Sequence, residues 1–166
     1  MDYKHQAFIG LGSNVGNRAD NCRNAIEALS TCEGCRLEAQ SALYETEPVY
    51  LEDQNWFINC AALLRTCLEP EAVLAQLQAI ERSVGRSLDG PKYGPRVLDL
   101  DILFFDDLVL EMSQLQVPHP RLHERRFVLK PLCDIAPEHV HPVLGKTIRS
   151  LLSDLDDGEK KVILYK

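Results

Sequence analysis

One stretch of the chain alternates between apolar and acidic residues, and this pattern restricts its local structure more than any other feature of the sequence. Leu98, Leu100 and Ile102 alternate there with Asp99 and Asp101. Because successive side chains of a β-strand point to opposite faces, we expect the two carboxylates on one face and the apolar side chains on the other. The pattern therefore predicts a strand with one buried and one accessible face.

The acidic face of this predicted strand favours a cation site. Two residues of rise separate Asp99 and Asp101 by roughly 6.5–7 Å at the backbone. Their oxygens could converge on one divalent cation or on a pair of cations about 3.5–4 Å apart. Aspartate is depleted in strands, and neighbouring like charges repel, so a bound cation would explain the arrangement. Just upstream, Gly94-Pro95 predicts a turn, and Arg96 is suited to a phosphate group. The alternative is a half-exposed strand whose outer face is acidic without binding anything.

Length and charge limit the classes of protein. The 166 residues suit one domain covering 1–166, and the net charge of −7 argues against a nucleic-acid-binding protein. The sequence contains no apolar run near the roughly 20 residues that span a bilayer, which predicts no membrane partner. The first residues lack the basic start and apolar stretch of a signal peptide. We therefore expect a cytoplasmic protein, and a monomer is taken as its expected state.

Cysteine and histidine spacing leaves two weaker metal hypotheses. The six cysteines are expected to be reduced thiols, and Cys32 and Cys35 form a C-x-x-C that could belong to a zinc site or a redox pair. There is no second C-x-x-C, and this one follows a helix-like segment instead of starting a helix, where thiolates are activated. His139 and His141 could also ligate a metal, but acidic or cysteine partners are missing nearby.

Periodicity and turn residues predict alternating strands and helices. The glycines at 10, 12 and 16 have the spacing G-x-G-x-x-x-G, one residue longer than a dinucleotide fingerprint. The loop 12–17 that contains the last two is either a tight turn or a ligand-binding loop. Strands are predicted at 7–12, 35–44 and 56–64, at the acidic stretch continuing into 104–110, and at 161–165. Helices are predicted at 18–29 and 69–85, from the end of the segment 116–127 to about Ile135, and at 147–155.

Two further groups of polar residues favour a ligand. Asn59 lies in an apolar strand, where its amide needs either backbone partners or the polar edge of a ligand. The segment 116–127 contains two prolines, two histidines and three arginines. A basic cluster is often a solvated surface, but in an acidic protein this one favours an anion.

Several motifs follow one another in a combination that identifies a family. They are G-L-G-S-N at 10–14, E-T-E-P at 45–48, F-I-N at 57–59, K-Y-G-P-R-V-L-D-L-D-I at 92–102 and V-P-H-P-R at 117–121, followed by Phe127 and Pro131-Leu132. From Ala7 to about Val143, the sequence resembles the 6-hydroxymethyl-7,8-dihydropterin pyrophosphokinases of folate biosynthesis. The resemblance implies a mixed α/β (α+β) fold, a ferredoxin-like three-layer sandwich with a mainly antiparallel central sheet.

The resemblance also implies an activity and a set of site residues. Pyrophosphate would pass from ATP to the hydroxymethyl group of 6-hydroxymethyl-7,8-dihydropterin, leaving AMP, with two Mg²⁺ ions on Asp99 and Asp101. The residues implied for the phosphates are Arg86, Arg96, His119 and Arg125. Those implied for the pterin are Thr46, Val49, Phe57, Asn59 and Phe127. Those implied for the adenine are Leu74, Ile102 and Leu115, with Gln78 along the phosphate route.

The sequence departs from the family pattern at several positions. Leu88 replaces a second arginine, Tyr93 replaces a common tryptophan, Glu47 replaces a common proline, and Gln114 and Gln116 stand where relatives can carry arginine and threonine. These changes bear on ATP affinity and loop closure more than on the reaction. The loops 50–55 and 86–93 are expected to close over the substrates.

Two other functional classes remain open at this point. A nucleotide hydrolase or ordinary phosphotransferase using the same acidic pair would release ADP or phosphate without a pterin. A non-catalytic ferredoxin-like module would bind ATP and Mg²⁺ without turnover.

Overall fold

A computed structural model describes residues 1–85, 92–156 and 160–166 of the chain. Within these residues, the elements follow a β-α-β-β-β-α-β order, and two short strands, a 3₁₀ turn, two further helices and a final strand come after it. They are β1 (His5–Ser13), α1 (Arg18–Thr31), β2 (Cys35–Gln40), β3 (Tyr44–Thr46), β4 (Phe57–Thr66), α2 (Pro70–Ser83), β5 (Asp99–Phe105), β6 (Leu110–Glu111), β7 (Gln116–Val117), a 3₁₀ turn (Leu122–Glu124), α3 (Arg126–Ile135), α4 (Ile148–Asp154) and β8 (Val162–Leu164).

The main sheet has the strand order β5-β1-β4-β3-β8, and β2 also pairs with β4. Every pairing among the described residues is antiparallel. β2 and β3 pair with opposite halves of β4, so the single strand predicted at 35–44 is two short strands. The expected mainly antiparallel, ferredoxin-like sheet is confirmed.

Helices cover both faces of the sheet, which gives three layers. α1 and α2 pack on one face, over a core that contains Ile9, Leu11, Leu100 and Ile102. α3 and α4 pack on the other face, over a core that contains Phe8, Ala61, Leu63, Leu103, Phe104 and Leu129. Both cores follow from the alternation of strand side chains between the two faces.

Local sequence explains where the first two helices begin. Asn17 caps α1, since its side chain accepts a hydrogen bond from the Asp20 backbone N–H at 3.3 Å. Pro70 occupies the start of α2, where its missing N–H costs no helical hydrogen bond. Gly85, with φ of +85°, follows α2, as expected for a helix end. These helices confirm the predicted ones to within a few residues.

β5 contains a bulge that changes which face its residues occupy. Ile102 pairs with Ile9 and Phe104 pairs with Phe8, so Leu103 is an extra residue without an opposite partner in β1. Leu103 and Phe104 both lie in the core beneath α3 and α4 (the α3 core), whereas Phe105 lies in the core beneath α1 and α2 (the α1–α2 core). Asp99 and Asp101 therefore share a face with the α3 core, farther along the strand.

Candidate active site

A cavity of about 490 Å³ lies on the α3 face of the sheet, beyond the part that α3 and α4 cover. The strand positions that continue the face of Phe8, Leu63 and Leu103 form its floor. These positions are Gly10, Gly12, Phe57, Asn59, Asp99 and Asp101. The segments 46–50, 92–96 and 119–128 supply its walls. The cavity is therefore the uncovered half of one sheet face.

Asp99 and Asp101 both line the cavity. They lie opposite Gly12 and Gly10 of β1, which have no side chains above the sheet. On the other face, Leu98, Leu100 and Ile102 are at most 4% exposed. The alternation predicted from the sequence is confirmed, and both carboxylates can reach a ligand in the same cavity.

Glu81 of α2 fixes the outer edge of the acidic strand. This carboxylate is buried, and its Oε1 accepts a hydrogen bond from the Leu100 backbone N–H at 2.8 Å. Leu100 stands between Asp99 and Asp101, so the contact holds the backbone that carries both. The sequence predicted only that Glu81 lies in the helix at 69–85 and did not predict this contact. An acidic residue at a buried helical position was the available signal.

Gly12 allows Asn59 to approach across the strands. A Cβ atom at Gly12 would lie 2.7 Å from Nδ2 of Asn59, closer than such atoms approach in proteins. Asn59 donates from Nδ2 to the Leu11 carbonyl at 3.2 Å, and its Oδ1 accepts from Thr46 Oγ1 at 2.5 Å. Among the described residues, these bonds use one of the two amide hydrogens and one of the two oxygen lone pairs. One donor and one acceptor remain available at the cavity.

Aromatic and apolar side chains flank this amide. Phe57 of β4 and Phe127 of α3 line the cavity together with Val49. The backbone of 46–49 passes along the same wall. A flat heteroaromatic ring could contact the phenyl side chains while its polar edge meets Asn59 and backbone groups.

Basic side chains line the other wall of the cavity. Arg96 follows the Gly94-Pro95 turn, and its backbone N–H and C=O bond Oδ1 and N of Asn14 at 2.7 and 2.9 Å. Arg125 directly precedes α3, and Lys92 and Arg121 also line the cavity. This concentration of cations in a chain of net charge −7 favours an anionic ligand.

His119 is held in its neutral form on the same wall. Its backbone N–H donates to the Leu103 carbonyl at 2.9 Å, and its Nδ1 accepts from the Arg121 backbone N–H at 3.3 Å. Burial lowers the pKa of His119 to about 4, and the nearby Arg125 and Arg121 charges act in the same direction. A neutral imidazole can hydrogen-bond a phosphate without adding charge.

A polar network joins the loops around the cavity. Nδ2 of Asn14 donates to Gln54 Oε1 at 3.0 Å and to the Asn55 carbonyl at 3.1 Å. Gln54 Nε2 in turn donates to the Tyr93 carbonyl at 2.9 Å. Asn14 thus connects the end of β1 with the loop 50–55 and the segment 93–96. Sequence reasoning placed Asn14 within a motif but assigned it no contact.

Tyrosines and arginines from three segments meet at the mouth of the cavity. The Tyr50 and Tyr93 rings are 4.3 Å apart and inclined by 30°. The Arg121 guanidinium lies 4.5 Å from the centre of the Tyr50 ring and donates to the Tyr93 hydroxyl at 3.1 Å. Arg125 donates from Nε to the Tyr50 hydroxyl at 2.9 Å. The sequence predicted Tyr50 only as part of the closing loop 50–55 and Arg121 only as part of the basic segment 116–127, and it assigned neither a contact.

Some of the predicted site residues lie away from this cavity. Ile102 and Leu115 are buried in the α1–α2 core, and Leu74 packs against that core. Gln78 is exposed on α2. The adenine site expected there stays a prediction, on the opposite side of the sheet from the cavity. Arg86, Leu88 and the first part of the loop 86–93 lie outside the described residues.

The described residues contain no group of three or more histidine, cysteine or acidic side chains arranged to hold a metal ion. Asp99 and Asp101 alone would supply carboxylate ligands, which fits Mg²⁺, since this ion keeps several waters and takes oxygens from a substrate's phosphates. All six cysteines are free thiols, and burial raises the pKa of Cys32 and Cys35, so neither is an activated thiolate.

His139 serves the α3 core. Its ring lies 4.7 Å from the rings of both Phe8 and Phe104. His141 is 5% exposed, and its Nδ1 accepts from the backbone N–H groups of Val143 and Leu144. Ring packing therefore accounts for the position of His139, and backbone hydrogen bonds account for that of His141.

Comparison with known proteins agrees with this geometry. Residues 8–137 match the model of the family described as 7,8-dihydro-6-hydroxymethylpterin-pyrophosphokinase (HPPK). The chain belongs to this family. It is 40% identical to the 2-amino-4-hydroxy-6-hydroxymethyldihydropteridine pyrophosphokinase of Methylorubrum extorquens, covering 91% of this chain and 94% of the relative. The protein of that name from Bacillus subtilis is 44% identical, covering 78% of this chain and 77% of the relative.

Other HPPK relatives are longer proteins. The chain is 43% identical to the folic acid synthesis protein fol1 of Pneumocystis carinii, with 95% of this chain covered, but it spans only 21% of that protein's length. The fold is shared with the Plasmodium falciparum HPPK-DHPS crystal structure with pteroate, at a TM-score of 0.74 and 20% identity, over 90% of this chain and 42% of that one. The resemblance inferred from the motifs is confirmed.

No helix among the described residues is long and apolar enough to cross a membrane.

Proposed function

We propose that the chain transfers pyrophosphate from ATP to the hydroxymethyl group of 6-hydroxymethyl-7,8-dihydropterin, giving AMP and the pterin diphosphate in folate biosynthesis. One observation carries the proposal: a paired carboxylate strand and an amide flanked by aromatic residues open into the same cavity. An ordinary nucleotide-binding site has no use for the second feature, and a pterin-binding module has none for the first.

The pterin would occupy the end of the cavity formed by Phe57, Asn59 and Phe127, beside Thr46 and Val49. Asn59 retains one donor and one acceptor for the edge of the ring, because its other groups bond Thr46 and Leu11. The two phenyl side chains would contact its faces. The hydroxymethyl group would then point toward the carboxylates.

The triphosphate would lie along the basic wall, with Arg96, Arg125 and His119 as its contacts and Arg86 as a further one predicted from the sequence. Asp99 and Asp101 would hold two Mg²⁺ ions. When bound, these ions supply charge neutralisation of the phosphates and a template for their orientation.

The chain's own residues then act mainly by positioning and by charge. The pterin hydroxyl oxygen forms a bond to the β-phosphorus, the bond from that phosphorus to the α–β bridging oxygen breaks, and the hydroxyl proton is released. Negative charge grows on the bridging oxygen that leaves with AMP. The fixed guanidinium groups of Arg96 and Arg125 stabilise this charge without a strong general base. Closure of the loop 50–55 would exclude water that could otherwise hydrolyse ATP.

The remaining expectations belong to the same proposal. Leu74, Ile102 and Leu115 lie across the sheet from the cavity and would contact the adenine. ATP would then pass around the edge of β5, with Gln78 along the route of the phosphates. The protein would act as a monomer in the cytoplasm, with ATP and the reduced pterin as its substrates.

A nucleotide assay separates this function from the alternatives. Purified protein is incubated with ATP, Mg²⁺ and 6-hydroxymethyl-7,8-dihydropterin, and the nucleotides are separated by chromatography. We expect AMP in amounts equal to the pterin consumed, and no product when either the pterin or Mg²⁺ is omitted. ADP or free phosphate without pterin would indicate a hydrolase or phosphotransferase. Binding of ATP by folded protein without any product would indicate a sensor module, and either result would contradict the proposal.

A further inference from the structure

The mouth of the cavity contains an aromatic residue that contacts two of its cations. We propose that Tyr50 is a positioning residue, which holds the Arg125 side chain in the orientation that meets the phosphates. The inference rests on the proposed function, since it assigns a role at the phosphate end of that same site. Nothing in the family motifs pointed to Tyr50, which follows the predicted pterin-binding Val49 directly in the chain.

The contacts of Tyr50 with Arg125 are of two kinds. The hydroxyl accepts a hydrogen bond from Arg125 Nε at 2.9 Å, and the guanidinium carbon lies 5.2 Å from the centre of the ring. The hydrogen bond is directional and so favours one orientation of the guanidinium, and the ring adds the attraction between a cation and an aromatic face. Together they restrict a side chain that otherwise has many rotamers.

The particular nitrogen that Tyr50 binds matters for the reaction. A guanidinium has five N–H donors, and Tyr50 takes the single one on Nε. Among the described residues, the bond to Tyr50 is the one hydrogen bond of the Arg125 side chain, and none of the ion pairs involves Arg125. Both terminal NH₂ groups therefore stay available for the two-pronged contact with phosphate oxygens that arginine makes best. Arg121 differs, because its Nε and Nη1 already bond Glu124 and Tyr93.

A second tyrosine supports Tyr50 from another loop. The Tyr93 ring packs on that of Tyr50 at 4.3 Å, and the Arg121 guanidinium lies over the Tyr50 ring at 4.5 Å. Tyr93 has a positive φ of 62°, a backbone region that bulky residues rarely adopt. Such strain persists where the surroundings hold it, and here its effect is to place the Tyr93 ring against Tyr50. The orientation of Arg125 thus depends on packing between two loops.

A double-mutant cycle tests whether Tyr50 acts through Arg125. Tyr50→Phe keeps the ring and its packing but removes the acceptor for Nε, and Tyr50→Leu removes the ring as well. We expect Tyr50→Phe to lower kcat about tenfold with the pterin KM changed less than twofold, since a hydrogen bond to a charged group is lost. Tyr50→Leu should lower kcat further. In an Arg125→Met background, Tyr50→Phe should have no additional effect on kcat or on the affinity for a non-hydrolysable ATP analogue with Mg²⁺.

Tyr3→Phe is the matched control, because the Tyr3 ring also carries an arginine, Arg36, at 5.4 Å, but Tyr3 does not line the cavity. This variant should behave as the wild type, and thermal unfolding should confirm that every variant folds. Wild-type kinetics in Tyr50→Phe would overturn the inference. So would an equal loss on adding Tyr50→Phe to the wild type and to Arg125→Met, because Tyr50 would then act independently. Wild-type protein that forms no AMP would contradict the proposed function instead, whatever the variants do.

Discussion

At the scale of single residues, the cavity depends on what is missing as much as on what is present. Gly10 and Gly12 leave the sheet surface bare opposite Asp101 and Asp99. The same absence lets Asn59 extend over β1 toward the ligand. At Gly12 the absence of a side chain is therefore a requirement of the site, separate from any need for unusual backbone angles.

Gly12→Ala should weaken pterin binding. The new Cβ atom would stand 2.7 Å from Asn59 Nδ2, so the amide must move and its bonds to Thr46 and Leu11 must lengthen. We expect a loss of about 1–3 kcal/mol, roughly 5- to 150-fold in Kd, by calorimetry with 6-hydroxymethylpterin. Gly10→Ala is the comparison, because its Cβ would meet only flexible side-chain carbons of Leu103 at 3.3 Å. Similar losses in both variants would argue against a specific role of Asn59.

Asp101→Ala should abolish turnover without affecting folding. Asp101 lines the cavity and makes no contribution to either apolar core, so its removal leaves the packing of β5 in place. We expect AMP formation to fall by two or more orders of magnitude and the unfolding temperature to change little. Asp107→Ala, in the exposed turn after the same strand, is the control. Near-normal rates in Asp101→Ala would remove the assignment of this carboxylate to Mg²⁺.

His119 should make stability depend on pH. Its pKa is about 4 in the folded protein and near 6.5 when unfolded, so the unfolded chain binds the proton more tightly. Its contribution to stability is therefore complete above about pH 6.5 and is lost as the pH falls toward 4. His119→Asn keeps an acceptor for the Arg121 N–H but cannot titrate. Urea unfolding at pH 7.5 and 5 should show a decrease about 1–2 kcal/mol larger in the wild type than in this variant. An equal decrease in both proteins would contradict the shifted pKa.

At the scale of elements, β5 carries the two carboxylates proposed to bind Mg²⁺, and its position depends on neighbours on both sides. β1 pairs with it along one edge, and the Glu81 carboxylate of α2 bonds Leu100 on the other. A helix side chain thus replaces the strand that would otherwise continue the sheet. The geometry of the carboxylates depends on this contact, although Glu81 lies outside the cavity lining.

Glu81→Leu should therefore reduce both stability and activity. It leaves the Leu100 N–H without its acceptor in a buried position, which should lower the free energy of unfolding by about 1.5–3 kcal/mol. Turnover should fall as well, since Asp99 and Asp101 flank Leu100. Glu81→Gln retains an oxygen acceptor and should recover much of both losses. Glu71→Leu, on the exposed side of the same helix, should cost little. Unchanged turnover in a destabilised Glu81→Leu would separate the strand edge from the chemistry.

The elements themselves were largely predictable, because periodicity reflects burial. The alternation at 98–102 predicted the faces of β5, and the spacing in 18–29 and 69–85 predicted α1 and α2. The division of 35–44 into β2 and β3 was not predictable. It arises because two short strands share opposite halves of β4, which is a matter of register between distant segments.

At the scale of the whole molecule, the cavity draws on segments far apart in the chain. The motifs and the family resemblance predicted its main side chains, including Thr46, Asn59, Asp99 and Phe127. Sequence could not predict which loops touch. The Tyr50–Tyr93 stack and the links of Asn14 to Gln54 and Arg96 join segments whose separation in sequence exceeds 30 residues and carry no local pattern. The hydrogen bond from Leu100 to Glu81 is similar, since a helical period does not distinguish a packed carboxylate from an exposed one.

The bulge at Leu103 has a consequence for how this sequence can change. The extra residue shifts the alternation of β5 by one position. As a result, the face of the sheet that α3 covers carries Asp99 and Asp101 at one end of the strand and the consecutive side chains of Leu103 and Phe104 at the other. Losing one residue there would restore simple alternation and force a choice between the two ends. Either Asp99 and Asp101 would be buried in the apolar core beneath α1 and α2, or the aromatic residues that pack beneath α3 would be exposed to water. We therefore expect β5 to tolerate substitutions better than insertions or deletions of a residue.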